Sequence, residues 1–209
     1  MLSVQNLAAL KISSLDLDVP DGARMLLRGA NGAGKTTLVR AIMGLEPAGG
    51  KVIFDGADLS AAPSCERARR GLFAGMQNVP EIAGLSVMTF LKHSYAAHFE
   101  NAPAGEFAAR LKKSRARLGI PESWLARSVN VGFSGGEKKR LMLLRLHVLA
   151  PKMAILDEPD SGADEETRRL LAEIISEMGA TTFLVISHQD VFFAPSATAV
   201  LQNGKIMIE

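Results

Sequence analysis

At 209 residues, with hydrophobic residues at 47% and charged residues at 22%, the chain is long enough for one full domain with its own core. A formal net charge of +2 and a mean hydropathy of +0.13 predict well-buried strands and exclude nucleic acid or any other large charged polymer as the expected partner. Arg145 and His147 interrupt the longest apolar stretch, no basic and apolar leader precedes Leu2, and a single cysteine, Cys65, excludes an internal disulfide, so a cytoplasmic protein is expected.

Ile12, Leu15, Leu17 and Val19, set against Asp16 and Asp18, predict a strand with one solvated face. Pro20-Asp21-Gly22 predicts a turn. Arg24–Arg28 then carries Met25, Leu26 and Leu27 into Gly29-Ala30-Asn31-Gly32-Ala33-Gly34-Lys35-Thr36-Thr37, followed by a helical stretch from Leu38 to Met43. Glycines at these positions, with Lys35 and Thr36 between strand and helix, form the pattern of a phosphate-binding P-loop. The glycines let backbone N–H groups approach phosphate, Lys35 neutralises charge, and Thr36 is a ligand for Mg²⁺. A nucleotide, with Mg²⁺, is the expected ligand.

Further strands are predicted at Lys51–Asp55 and Leu72–Met76, with Gln77 at the end of the second. A glutamine there reads as a contact to Mg²⁺ or the attacking water, or as an ordinary loop amide. From Ser86 to about Trp124 the chain reads as helical, with breaks near Pro103–Gly105, Gly119 and Pro121. Met88, Leu91, Tyr95 and Phe99 form a core stripe, and Lys112–Arg117 forms a solvated face. His93, His98 and His147 show no metal-ligand spacing.

Ser128–Arg140 sets Ser134, Gly135 and Gly136 ahead of a helix from Glu137 to about Leu149, an anion site built without a basic side chain. Lys152–Pro159 reads as a buried parallel strand that delivers Asp157 and Glu158 to its C-terminal edge. Asp157 is then a Mg²⁺ ligand opposite Thr36, and Glu158 the candidate general base. A turn through Ser161, Gly162, Ala163 and Asp164 leads to a helix, Glu165 to Met178. The strand Thr181–Ile186 ends at His188, a candidate γ-phosphate sensor, and a hairpin around Asn203-Gly204 closes the chain.

Gly29–Thr36, Gln77, Ser134–Glu137, Ile155–Glu158, Ser161–Asp164 and His188 follow one another as the P-loop, Q-loop, signature loop, Walker B strand, D-loop and switch histidine of an ATP-binding cassette (ABC) ATPase. The chain resembles that family over nearly its full length. The resemblance implies an α/β fold: a P-loop NTPase, RecA-like parallel-sheet core with an N-terminal antiparallel β element and a helical signature subdomain. The expected division is a core of 1–76 and 138–209 and a helical subdomain of 77–137, all within one domain, 1–209. It also implies a head-to-tail homodimer in which Ser134 and Gly136 of one copy meet the ATP held by the P-loop of the other.

Within that family Ser128–Phe133, Glu137–Arg140, Pro80–Ser86 and Asp160–Asp164 resemble the ATPase of the Suf iron–sulfur cluster assembly systems, the SufC type. Scaffold proteins of the SufB and SufD type are therefore the implied partners. The alternatives are the energising subunit of a membrane permease and a nucleotide-binding regulator that does not hydrolyse. Suf ATPases carry a longer C-terminal tail. No Phe, Tyr or Trp occurs before Phe54, where many cassettes stack an aromatic on adenine, so weak discrimination between nucleobases is expected.

Overall fold

The computed structural model describes residues 1–99, 102–103, 105–188 and 192–208. They pack into two units, Met1–Gln77 with Pro151–Ser161 and Gly179–Glu209, and Asn78–Ala150 with Gly162–Met178.

In the first unit, β1 (Leu2–Ala9), β2 (Ile12–Val19), β4 (Gly49–Phe54) and β5 (Ala57–Asp58) form an antiparallel sheet in the order β2-β1-β4-β5. The alternation read in β2 holds: Ile12, Leu15, Leu17 and Val19 are buried and Asp16 and Asp18 exposed. A second sheet has the order β12-β11-β3-β10-β9-β6, from β3 (Arg24–Arg28), β6 (Leu72–Gly75), β9 (Met153–Asp157), β10 (Thr182–Ile186), β11 (Ala197–Gln202) and β12 (Lys205–Ile208). Its strands are parallel except β12, which closes a hairpin on β11. All five residues of β9 and of β10 are buried, as central parallel strands require.

Helix α1 (Lys35–Ile42) contributes Leu38, Val39, Ala41 and Ile42 to a core shared with both sheets. Its C-terminal carbonyls are capped from a short helix, α2 (Ser64–Arg69), that the hydrophobic pattern does not announce. Buried Arg67 donates from Nη1 to Ala41 O (2.9 Å) and Ile42 O (2.7 Å), and from Nη2 and Nε to the Ser60 and Ala62 carbonyls. Those bonds fix the far end of the helix that follows the P-loop.

The second unit comprises α3 (Val87–His98), α4 (Glu106–Arg117), a 3-10 turn (Glu122–Ala126), α5 (Gly135–Leu149), α6 (Glu165–Glu177) and a small antiparallel pair, β7 (Ile82–Ser86) with β8 (Ser128–Val129). Helix α5 buries Leu141, Met142, Leu143, Leu144, Leu146, Val148 and Leu149, and α3, α4 and α6 pack on it. A helix apolar on most sides belongs at the centre of a bundle.

The structure departs from expectation at four points. Residues 138–150 and 162–178 fall in the helical unit, where α5 packs against α3, α4 and α6. The segment after Gln77 ends in a strand, β7, that the sequence does not announce, while the helix starts where expected, at Val87 with Ser86 as its N-cap. The stripe on α3 buries Leu91 and Tyr95 but leaves Met88 38% exposed. The basic face of α4 turns Ser114 inward, where its hydroxyl donates to Arg110 O and lies 2.8 Å from His147 Nδ1. The break expected at Pro103–Gly105 includes Ala104, which lies outside the described residues. Among the described residues no helix is long and apolar enough to cross a membrane.

Candidate nucleotide site

Parallel pairing brings four strand ends to one edge. Leu27 of β3 and Asp157 of β9 both align with Ile186 of β10, and Gly75 of β6 aligns with Leu156. The residues just beyond them are Gly29, Glu158, Ser187-His188 and Gln77. In an open parallel sheet the carboxyl edge of the strands is where ligands bind.

The P-loop runs from β3 to α1. Gly34 is the N-cap of α1, at φ 102, with no side-chain cap, so the first N–H groups of the helix are not claimed by a capping side chain. Lys35 is 6% exposed; its Nζ donates to Gly29 O (2.8 Å) and Ala30 O (3.0 Å), spanning the loop. Burial lowers the Lys35 pKa, and the neighbouring carboxylates of Glu158 and Asp157 oppose that shift. Thr36 Oγ1 donates to Asp157 Oδ2 at 2.8 Å.

Asp157 is 1% exposed, and its Oδ1 finds no hydrogen-bond partner among the described residues. Burial raises its pKa, with the Thr36 hydrogen bond opposing and the charge of Glu158 adding. A buried carboxylate oxygen left over beside a threonine hydroxyl is a hard-oxygen donor set, which suits Mg²⁺ shared with phosphate oxygens. Among the described residues no cluster of three or more His, Cys, Asp or Glu offers a metal cage built from protein alone.

Glu158 adopts φ 51, a left-handed conformation that costs a non-glycine residue about 1–2 kcal/mol. It is held there by its own N–H to Ile186 O (2.9 Å) and by Ser161 N–H to its carbonyl (3.2 Å). Both side-chain oxygens are engaged: Gln77 Nε2 donates to Oε2 at 2.7 Å, and His188 Nε2 lies 3.0 Å from Oε1. The structure therefore brings Gln77, Glu158 and His188 together and seats Lys35, Thr36 and Asp157 in the same unit. Buried Ser187 donates to buried Asp160 at 2.7 Å, joining the end of β10 to the turn after Glu158. Nothing in the sequence announces this pairing.

Ser134, Gly135, Gly136 and Glu137 belong to the other unit. Ser134 is the N-cap of α5 in a complete capping box: Glu137 N–H donates to Ser134 Oγ (3.2 Å) and Ser134 N–H to Glu137 Oε2 (2.8 Å). That backbone donor, followed by Arg127, holds the Glu137 carboxyl below the usual range. A Cβ added at Gly135 or Gly136 would meet nothing within 4 Å. Of the D-loop, Ser161 lies in the first unit and Gly162, Ala163 and Asp164 in the second. Asp164 caps α6 by accepting from Thr167 N at 2.7 Å. Arg127, which contacts the signature loop through Glu137, has no motif signal in the sequence.

A P-loop, a carboxylate pair and a histidine on one edge of a parallel sheet define a P-loop nucleotide-binding protein. The profile of the ABC transporter family matches residues 12–161, and the chain belongs to that family as an ABC ATPase. It is 37% identical to the probable ATP-dependent transporter SufC of Escherichia coli, over 99% of this chain and 88% of that protein. A probable ATP-dependent transporter of Synechocystis is 33% identical, over 100% and 88% of the two chains. Among solved structures, the ATP-binding subunit of an ABC transporter superposes with a TM-score of 0.85 at 24% identity, covering 98% and 87% of the two chains. A bacterial ABC transporter cassette solved as a dimer gives 0.83 at 20% identity, covering 100% and 98%. The fold is that of the ABC ATPases.

Proposed function

We propose that the chain hydrolyses Mg²⁺–ATP between two head-to-tail copies and uses the cycle to drive conformational change in a Suf-type iron–sulfur scaffold of SufB- and SufD-like proteins. The observation that carries the hydrolytic reading is the strained Glu158, whose carboxylate is gripped by Gln77 and His188 beside Lys35 and the Thr36–Asp157 pair. Backbone strain of this kind clusters at functional sites, which supports a chemical role for the side chain that Glu158 aims.

The P-loop amides and Lys35 bind the β- and γ-phosphates of ATP. Glu158 orients and deprotonates the attacking water. Gln77 and His188 hold Glu158 in line, and once ATP is bound Gln77 meets the attacking water and His188 the γ-phosphate. Mg²⁺ held by Thr36 and Asp157 would neutralise developing charge on phosphate oxygens, the main source of rate in phosphoryl transfer. Ser134 and Gly136 of the second copy complete the phosphate contacts, which accords with the open space around the two signature glycines.

The Suf assignment draws on the named relative from Escherichia coli and on the residues flanking Gln77 and Ser134. The word transporter in the relatives' names favours a second reading, a cassette that energises a membrane permease. Glu158→Gln tests the chemistry. It is expected to bind ATP normally, lose about 10³-fold or more in kcat, and accumulate an ATP-dependent dimer; normal turnover would overturn the base assignment. Pull-down of that trapped dimer separates the two partners, with a scaffold pair supporting Suf and a permease in the membrane fraction supporting transport.

A further inference from the structure

Arg127 holds the signature loop from one side. Arg127 Nη2 donates to Gly132 O at 2.9 Å, and its Nη1 pairs with Glu137 Oε1 at 3.2 Å. Its guanidinium carbon lies 3.6 Å from the centroid of the Phe133 ring, which is 6% exposed and meets Trp124 edge-on at 5.1 Å. The other oxygen of Glu137 takes the Ser134 N–H. An unbroken series thus runs from Trp124 through Phe133, Arg127 and Glu137 to Ser134.

The main chain at the same place faces the segment that follows Gln77. Arg127 O accepts from Val87 N (2.9 Å), Ser128 Oγ accepts from Gly84 N (3.2 Å), and Val129 pairs with Ile82. Asn130 Nδ2 donates to Pro80 O at 2.8 Å, and Lys138 pairs with Glu81 at 2.9 Å. The Lys138–Glu81 pair is one exposed contact, of a kind that contributes little. Arg127 combines an ion pair, a carbonyl bond and a ring face, which a planar guanidinium can serve together and an ammonium cannot.

We propose that Arg127 is a positioning residue: its side chain, through Glu137, sets the Ser134 hydroxyl, while its carbonyl and residues 128–130 anchor the clamp on residues 80–87. The proposal rests on the reading of Ser134 as half of a composite ATP site. Loss of the clamp leaves the P-loop untouched and weakens only what Ser134 does.

The test compares Arg127→Ala, Arg127→Lys and Glu137→Gln with Ser134→Ala in the full chain. Four quantities are measured: trinitrophenyl-ATP affinity, kcat, thermal stability, and ATP-dependent dimerisation in a Glu158→Gln background. Arg127→Ala is expected to keep nucleotide affinity within about twofold and to lose about tenfold in kcat and in dimer affinity. Arg127→Lys should recover the thermal stability but not the kcat, whereas a purely structural role predicts that both return together. Glu137→Gln, which keeps an acceptor for Ser134 N–H, should show an intermediate loss, and an unimpaired Glu137→Gln would break the relay. Full turnover in Arg127→Ala beside an impaired Ser134→Ala overturns the proposal alone. Full turnover in both removes the composite-site reading and the proposal with it.

Discussion

Two glycine-rich loops open helices in this protein, and they treat their helix ends in opposite ways. Before α1 the N-cap is Gly34, in a left-handed conformation and without a side-chain bond. Before α5 the N-cap is Ser134, locked reciprocally to Glu137 and braced by Arg127. The first loop leaves backbone donors uncapped, with the Asp157 oxygen unpaired close by in sequence-distant β9. The second satisfies itself and presents a hydroxyl and two open glycines. A loop that encloses phosphate must keep its N–H groups unclaimed. A loop that presses on a ligand from outside must be rigid beforehand.

The largest effect separates the glycines of the two loops. A Cβ at Gly29 would sit 2.5 Å from the Leu201 carbonyl oxygen, so the loop or β11 must move. Gly29→Ala is expected to cost about 1–3 kcal/mol, roughly 3–10 °C in Tm, and to abolish ATP binding. Gly136→Ala has no neighbour to strike and sits in the first turn of α5, where alanine is favourable. Its Tm should hold or rise slightly while ATP turnover falls. Thermal melts beside ATPase assays decide the matter, and equal losses of Tm in both variants would erase the contrast.

A smaller effect probes the incomplete loop through Asp157. Its pKa is raised in the folded state by burial, so the folded chain holds the proton more tightly than the unfolded chain. The stability this residue contributes is therefore full below the ordinary carboxylate pKa and lost as pH rises through the folded value. Asp157→Asn removes the buried charge and should raise Tm at pH 7 by about 2–4 °C, with the gain shrinking toward about pH 4. Turnover with Mg²⁺–ATP should be lost at the same time. A lower Tm at pH 7 would mean that the Asp157 charge is already compensated.

These contrasts also mark what the residue pattern makes legible. Gly29–Thr36, Gln77, Asp157, Glu158 and His188 lie at strand ends, and uniform burial with parallel order brings strand ends together, so their convergence follows from sequence alone. The strand pair β7–β8 was invisible because only Ile82 with Val129 and Ser86 with Ser128 are in register, too short for an alternation. Arg67 and Arg127 carry no mark in the sequence, since what distinguishes them is the carbonyls and rings that the fold brings to them. The packing of α5 with the helical unit is hidden because a helix apolar on most sides carries no face that names its partner.

The capped loop gives a milder prediction. Ser134→Ala removes the acceptor for Glu137 N–H, and an N-cap of this kind contributes about 1 kcal/mol, or roughly 2–4 °C in Tm. ATPase activity should fall by more than that stability loss accounts for, because the variant also loses the serine O–H that the proposed composite site turns toward phosphate. Ser134→Asn, which keeps a capping oxygen, should restore Tm without restoring turnover. Recovery of both would reduce the serine to a cap.

The smallest effect concerns the base of the nucleotide. Beside the P-loop lies a cleft of about 780 Å³, lined by Leu10, Lys11, Ser13, Ala30–Ala33 and Gln202–Gly204, with no aromatic ring in its wall. Leu10, at 80% exposed, offers an aliphatic face. Base–aromatic stacking contributes about 1–3 kcal/mol, and this cleft does without it. Lys11 supplies donors, and Gln202 and Asn203 supply both donors and acceptors, so the edges of adenine and guanine can each be met. The phosphate-binding loop then carries nearly all the affinity, and kcat/KM for ATP and GTP should agree within about tenfold. Leu10→Tyr should lower KM several-fold for both nucleotides, since every base has a face to stack. A strong preference for ATP in the unmodified chain would mean that polar groups of the cleft, and not stacking, select the base, and Asn203→Ala would then be the variant that loses it.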